Sequence, residues 1–220
     1  MNLTTKPSVE LFIATGCVHC PLVLNELSEN LKKGQISNLN ITNIAVDNIK
    51  AEELNVRSVP WFSISNDHCF MIFSGEHSPK EIKQWLASSQ TDHGMQVYIE
   101  ESLSSGQLMT VSDAIQLKPE IYSHVIDMLG NEETSMDIRI GLDALTESLS
   151  ATDILQRFSP AFKKIASSDS TRLQIDALHY LALTGDYKNK EFILEKTKDE
   201  NPQIKEAAIE ALETLDDLIN

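Results

Sequence analysis

Cysteines and long apolar runs are both scarce in this chain of 220 residues, which contains only three cysteines. Three is a low and odd number for a small secreted domain held together by disulfides. No apolar run approaches the roughly 20 residues that a membrane helix needs. The run 9–14 is followed by no cleavage-site pattern and has no basic flank, so we read no secretory signal there. These absences predict a cytoplasmic protein without a membrane partner.

Basic residues are also scarce, since 18 Lys+Arg stand against 33 Asp+Glu and give a formal net charge of −15. The first 90 residues carry a net charge of −2, and the remainder carries −13. A surface of this sign repels polyanions, so the sequence predicts no nucleic-acid partner. The acidic excess is explained by solubility, and a basic protein partner is the alternative explanation.

Residues 1–90 alternate between strand and helix patterns in the order βαβαββα. The patterns predict strands near 9–14, 39–46, 61–65 and 69–73, with helices beginning near 20, 49 and 78. Ser78, Pro79 and Glu81 form the pattern of a helix start with a capping box. This order combines a βαβ crossover with an antiparallel hairpin, so we predict an α/β domain with one small mixed sheet.

Residues beyond 90 are predicted to be helical. We interpret 91–117 as connecting or capping helices, and 118–220 as a helical repeat. Similar four-residue segments recur at 142–145, 175–178 and 209–212, each with a further helical stretch upstream, and residues 154–166 form one such stretch. Two helices at a period of 33 to 34 residues are the signature of an α-solenoid.

The motif Cys17-Val18-His19-Cys20 lies where a predicted strand gives way to a predicted helix. At this spacing the two Cα atoms lie near the roughly 5.5 Å that a disulfide needs. The start of a helix stabilises a thiolate, so we predict Cys17 as the nucleophile and Cys20 as the resolving thiol. The chain lacks a second Cys-x-x-Cys that would complete a zinc site, so we predict no metal and no cofactor.

With these residues, segment 8–90 resembles the thioredoxin superfamily, and Gly16-Cys-Val-His-Cys-Pro21 is most similar to its glutaredoxin-like branch. The same pattern resembles protein disulfide oxidoreductases and the N-terminal domain of the alkyl hydroperoxide reductase flavoprotein. Leu11 stands where thioredoxins proper carry a buried carboxylate, which favours glutaredoxin-like chemistry or a dedicated relay. The resemblance implies that Pro60 is cis and that Val59 offers its backbone to a substrate.

Two further residues have alternative interpretations. In strongly oxidising members of the family a histidine at the position of His19 stabilises the thiolate, and the alternative here is a solvated histidine without effect. Cys69 lies in an apolar strand, where we expect a small buried hydrophobe.

The helical part resembles HEAT-type repeats over roughly residues 118–217, and this resemblance implies a protein-binding surface without chemistry of its own. The sequence therefore predicts a thiol–disulfide oxidoreductase whose partner is a protein disulfide or dithiol. Two alternatives are a redox-sensitive adaptor without turnover and a metal-handling protein that uses Cys17 and Cys20.

Overall fold

The computed structural model describes residues 6–219, and the chain divides into two compact units. The first unit ends at Ile121 and the second begins at Tyr122. The first contains a four-stranded sheet with its helices, and the second is helical.

Strands and helices alternate in the first unit as the sequence predicts, and two further helices follow. The elements are β1 (Ser8–Ile13), α1 (Cys20–Lys32), β2 (Asn38–Asn43), α2 (Ile49–Glu53), β3 (Trp61–Ser65), β4 (Phe70–Ser74), α3 (Pro79–Ser88), α4 (Gly94–Ser104) and α5 (Leu108–Leu117). A short 3₁₀ turn, Pro119–Ile121, ends the unit.

The sheet has the strand order β2-β1-β3-β4. β1 pairs in parallel with β2 and antiparallel with β3, and β3 pairs antiparallel with β4. Leu11 in β1 lies opposite Ile41 on one side and Phe62 on the other. Leu11 and Phe62 are fully buried, because the inner strands of the sheet have neighbours on both sides. This register places the carboxyl ends of β1 and β4 at the same end of the sheet.

β2 is shorter than the predicted strand 39–46, because the chain turns at Asn43. The Asn43 carbonyl accepts hydrogen bonds from the amides of Val46 and Asp47, and its side-chain oxygen accepts one from the amide of Ala45. An asparagine side chain that bonds to the backbone two residues ahead favours a turn over a continued strand.

The helix α1 begins at Cys20 with Pro21 in its first turn, as predicted. Its buried residues are Cys20, Val23, Leu27 and Asn30. Leu31, although it lies at helical spacing from Leu27, is 38% exposed. Asn30 is buried in its place, and its side-chain amide donates hydrogen bonds to the backbone and the carboxylate of Glu26.

The helix α3 confirms the predicted capping box. The Ser78 hydroxyl accepts a hydrogen bond from the amide of Glu81, and the Glu81 carboxylate accepts one from the amide of Ser78. Both donors would otherwise lack a partner inside the helix.

The helix α4 covers part of the open edge of β4. The buried Tyr98 hydroxyl donates a hydrogen bond to the carbonyl of Ile72 at 2.9 Å and accepts one from the Ile72 amide at 3.2 Å. Both backbone groups point away from β3 and would otherwise be buried without partners. Residues 94–104 therefore contribute to the core of the first unit, in addition to following it in sequence.

The second unit consists of helices joined by short loops. They are α6 (Tyr122–Leu129), α7 (Met136–Ser148), α8 (Asp153–Arg157), α9 (Ser159–Ile165), α10 (Thr171–Leu183), α11 (Lys190–Lys196) and α12 (Pro202–Ile219). α10 packs against α7, α9 and α12, and α11 packs against α12. The predicted helical stretch 154–166 is helical but is divided at Phe158 into α8 and α9. Pro160 lies in the first turn of α9, where a missing amide hydrogen costs least.

A polar pair joins two helices of this unit. The Arg139 guanidinium in α7 is buried and lies 3.2 Å from the carboxylate of Asp176 in α10. The same guanidinium donates to the carbonyls of Leu129 and Asn131.

Within residues 6–219, no helix is long and apolar enough to span a bilayer.

Candidate functional site

The site is built around a disulfide between Cys17 and Cys20, at the junction of β1 and α1. Their Cα atoms are 5.5 Å apart, as the spacing predicts. Gly16 precedes the pair with φ +81°, a left-handed conformation that glycine adopts without strain. The amide of Cys17 then donates to the carbonyl of Ala14 at 3.2 Å. This tight turn places Cys17 directly before the first turn of α1.

The two cysteines differ in exposure. Cys17 is half-buried, whereas Cys20 is 4% exposed on the inner face of α1. The backbone N–H of Cys20 points to the sulfur of Cys17, with an N–S distance of 3.1 Å. An amide donor at this distance stabilises negative charge on the Cys17 sulfur when the disulfide is opened. The arrangement favours Cys17 as the thiolate that meets a second molecule.

The loop before β3 lies against the same sulfur. The Val59–Pro60 peptide bond is cis, as the resemblance implied. The carbonyl oxygen of Val59 lies 3.7 Å from Cys17 Sγ, and Pro60 is buried. The Pro60 carbonyl accepts a hydrogen bond from the amide of Gly75 at 2.8 Å, which ties this loop to the end of β4. The structure thus brings Cys17, Cys20 and Val59 together.

His19 has a partner that our sequence reasoning missed. Its Nδ1 lies 2.8 Å from Oε2 of Glu76, and both side chains are about half exposed. An ionised carboxylate only accepts hydrogen bonds, so the Nδ1 of His19 is the donor in any hydrogen bond of this pair. The sequence signal that could have located Glu76 was the predicted hairpin. A strand antiparallel to β3 returns the chain to the end of the sheet where the cysteines lie. Residues that directly follow β4 therefore lie beside the motif.

His77 follows in the same loop but faces the core. Its ring makes edge contacts with Phe62 and Phe73, at centroid distances of 5.5 and 5.4 Å. Burial lowers the pKa of His77, and the nearby Glu81 carboxylate partly opposes this shift. His77 is thus an aromatic packing residue beside the site.

Cys69 lies apart from the dithiol. It is the free cysteine of the chain, it is buried, and it directly precedes β4, at the opposite end of that strand from Glu76. Burial raises the pKa of its thiol to about 12. The thiol is therefore neutral near pH 7, which fits the expected small hydrophobe.

Two apolar side chains close to the disulfide in sequence are exposed. Val18, between the two cysteines, is 81% exposed, and Leu22 in the first turn of α1 is 40% exposed.

Within residues 6–219, no group of three or more His, Cys, Asp or Glu residues is placed to hold a metal ion.

Comparison with known proteins does not identify a family. No protein-family model matches the chain, and no curated protein matches it in sequence. The fold and the disulfide at the start of α1 therefore define the site by themselves: a Cys-x-x-Cys pair on a small mixed sheet, consistent with redox function.

Proposed function

We propose that this chain is a thiol–disulfide oxidoreductase with a thioredoxin-like first unit. One observation carries the proposal: the Cys17–Cys20 disulfide closes at the start of α1, with the carbonyl of Val59 against its outer sulfur. A purely structural disulfide would not need a half-buried sulfur beside the carbonyl of a loop. The strand order β2-β1-β3-β4, with its parallel crossover and antiparallel hairpin, supports the thioredoxin-like assignment.

In the first step the Cys17 thiolate attacks one sulfur of a substrate disulfide. A new S–S bond joins Cys17 to the substrate while the substrate's own S–S bond breaks. The other substrate sulfur leaves as a thiolate and takes up a proton. The N–H of Cys20 stabilises the Cys17 thiolate before the attack, because it lies 3.1 Å from that sulfur.

In the second step the Cys20 thiolate attacks the sulfur of Cys17. The mixed S–S bond breaks, the Cys17–Cys20 disulfide forms, and the substrate leaves as a dithiol. Two electrons have then passed from the protein to the substrate. A dithiol reductant restores the reduced protein by the same two exchanges in the opposite direction. Cys20 is 4% exposed, so the resolving thiol is shielded from other disulfides.

The loop at Val59 and Pro60 is the proposed contact for a substrate backbone. The Val59 residue is half-buried and its carbonyl reaches the sulfur that reacts. Proline at position 60 has no N–H, so it leaves no amide donor there to compete with the substrate.

The second unit is the proposed partner-binding part, with helix pairs of the HEAT type. Its helices follow one another in pairs, and several large apolar side chains are exposed on them, including Met136 at 69% and Ile140 at 61%. Repeat proteins present long surfaces to other proteins. We propose a protein disulfide or dithiol as the partner.

A turnover assay tests the oxidoreductase directly. The protein is mixed with insulin or a small disulfide and an excess of dithiothreitol, and reduction is followed over time. We expect catalysis by the wild type and by Cys69→Ser, and no catalysis by Cys17→Ser. Oxidation of one equivalent of the dithiol without turnover would favour the redox-sensitive adaptor instead.

A covalent trap then identifies the partner. Cys20→Ser leaves Cys17 joined to the substrate because the resolving thiol is missing. We expect mixed disulfides that are absent from the Cys17→Ser/Cys20→Ser double variant. Mass spectrometry of the trapped species names the partner.

A further inference from the structure

The pairing of His19 with Glu76 bears on the reduction potential of the dithiol. The histidine lies between the two cysteines, and Glu76 follows Gly75 at the end of β4. The separation of 2.8 Å between Nδ1 and Oε2 is that of a direct hydrogen bond. A histidine alone in this motif offers a positive charge to the thiolate of the reduced protein. A histidine paired with a carboxylate offers less positive charge to the thiolate, because the carboxylate carries the opposite sign.

The charge of the pair is zero or negative in either state of His19. Protonated His19 beside ionised Glu76 sums to zero, and neutral His19 leaves a charge of −1. With the Glu76 carboxylate ionised, the pair carries no net positive charge. A negative charge near a thiolate disfavours the thiolate, and so disfavours the reduced form of the protein.

Other titratable groups in this loop are occupied elsewhere. His77 packs its ring against Phe62 and Phe73. The Glu81 carboxylate accepts the amide of Ser78 in the capping box. Glu76 is thus the acidic group of this loop that engages His19.

We infer that Glu76 offsets the charge of His19 and so lowers the reduction potential of the Cys17–Cys20 pair. The inference rests on the proposed function, because it concerns the potential of that exchange. Glu76 is a positioning residue in this scheme, since it acts on Cys17 through His19 and through its own charge. It lies 2.8 Å from the Nδ1 of His19.

The test is the equilibrium of the dithiol with glutathione buffers at pH 7, for the wild type and for Glu76→Gln. We expect the constant for reduction of the disulfide to rise about two- to five-fold in Glu76→Gln, the range that exposed charge pairs support. Such a change corresponds to a rise in reduction potential of about 9 to 21 mV. Glu76→Asp keeps the charge and should behave as the wild type.

Glu29→Gln is the matched control. Glu29 also forms an ion pair at 2.8 Å, with Lys32, and its side chain is similarly exposed at 49%. It lies near the end of α1 that is remote from the cysteines, so its removal should leave the equilibrium unchanged. A Glu76→Gln constant equal to the wild-type value, or lower than it, overturns the inference.

A spectroscopic readout separates this role from a structural one. The ¹⁵N shifts of the His19 ring report which nitrogen carries the proton. We expect the Nδ1–H form to dominate in the neutral wild-type ring and to lose ground in Glu76→Gln. An unchanged ring would also overturn the inference. Both measurements are made without substrate turnover, so they stand apart from a failure of the catalytic assay.

Discussion

The carbonyl oxygen of Val59 lies 3.7 Å from the sulfur of Cys17, although 42 residues separate them in sequence. The contact joins the loop before β3 to the junction of β1 and α1. Since the sulfur of Cys20 is buried behind it, Cys17 is the sulfur that an incoming molecule meets first. This asymmetry leads to the first prediction.

In the reduced protein, Cys17 should react with iodoacetamide much faster than Cys69 at pH 7. The N–H of Cys20 stabilises the Cys17 thiolate, whereas burial raises the pKa of Cys69 to about 12 and also blocks access. Mass spectrometry of the peptides after brief alkylation measures both rates. Equal labelling of Cys17 and Cys69 would contradict the assigned nucleophile.

The raised pKa of Cys69 also predicts a dependence of stability on pH. The unfolded thiol ionises near its ordinary pKa of 9.0 and the folded thiol near about 12. The contribution of the Cys69 thiol to the free energy of unfolding is therefore fully present below pH 9. It falls as the pH rises above 9, by up to about 1.4 kcal/mol per pH unit. Urea unfolding of the oxidised protein at pH 8 and pH 10 measures the loss. Cys69→Ala should lose less stability between these two pH values, and an equal loss would contradict the prediction.

Tyr98→Phe should lower the free energy of unfolding of the first unit by about 1–3 kcal/mol. It removes the hydroxyl that satisfies both backbone groups of Ile72, which stay buried. Both tryptophans, Trp61 and Trp85, lie in this unit, so their fluorescence in urea reports its unfolding. Tyr187→Phe, at a side chain 65% exposed, is the control and should be neutral.

The boundary near residue 90 remains a prediction, and two shortened chains test it. A chain that ends at residue 121 keeps α4 and α5, whose buried residues include Met95, Ile99 and Val111. A chain that ends at residue 92 loses them together with Tyr98. We expect the longer chain to fold cooperatively and the shorter one to be strongly destabilised, as judged by tryptophan fluorescence and circular dichroism. Equal stability of the two would place the boundary near residue 90.

Local patterns predicted the elements that local chemistry fixes. Ser78, Pro79 and Glu81 specify the start of α3 because the capping hydrogen bonds lie within four residues. The Cys-x-x-Cys spacing similarly specified the disulfide at the start of α1. Pro160 was an equally local signal for the break before α9, and the helical periodicity of 154–166 obscured it.

Contacts distant in sequence were beyond the reach of the same patterns. The contact between Glu76 and His19 depends on the register of the β3–β4 hairpin, which brings residue 76 back to the end of the sheet where the cysteines lie. The polar bond from Tyr98 to Ile72 depends on how α4 packs against the outer strand. Neither relationship leaves a periodic or spacing signal. The predicted hairpin brings the residues after β4 near the motif, but it does not name the partner of His19.

The phenol of Tyr98 has a consequence for association between molecules. A strand from another copy would need the free N–H and C=O of Ile72 to add to this side of the sheet, and both are already bonded. At this position β4 is closed to the edge-to-edge addition that leads to aggregates. The opposite edge is β2, where exposed Asn38 and Asn40 alternate with Leu39 and Ile41, and Ile41 is 48% exposed. The sheet thus limits strand addition at the β4 edge by a side-chain bond.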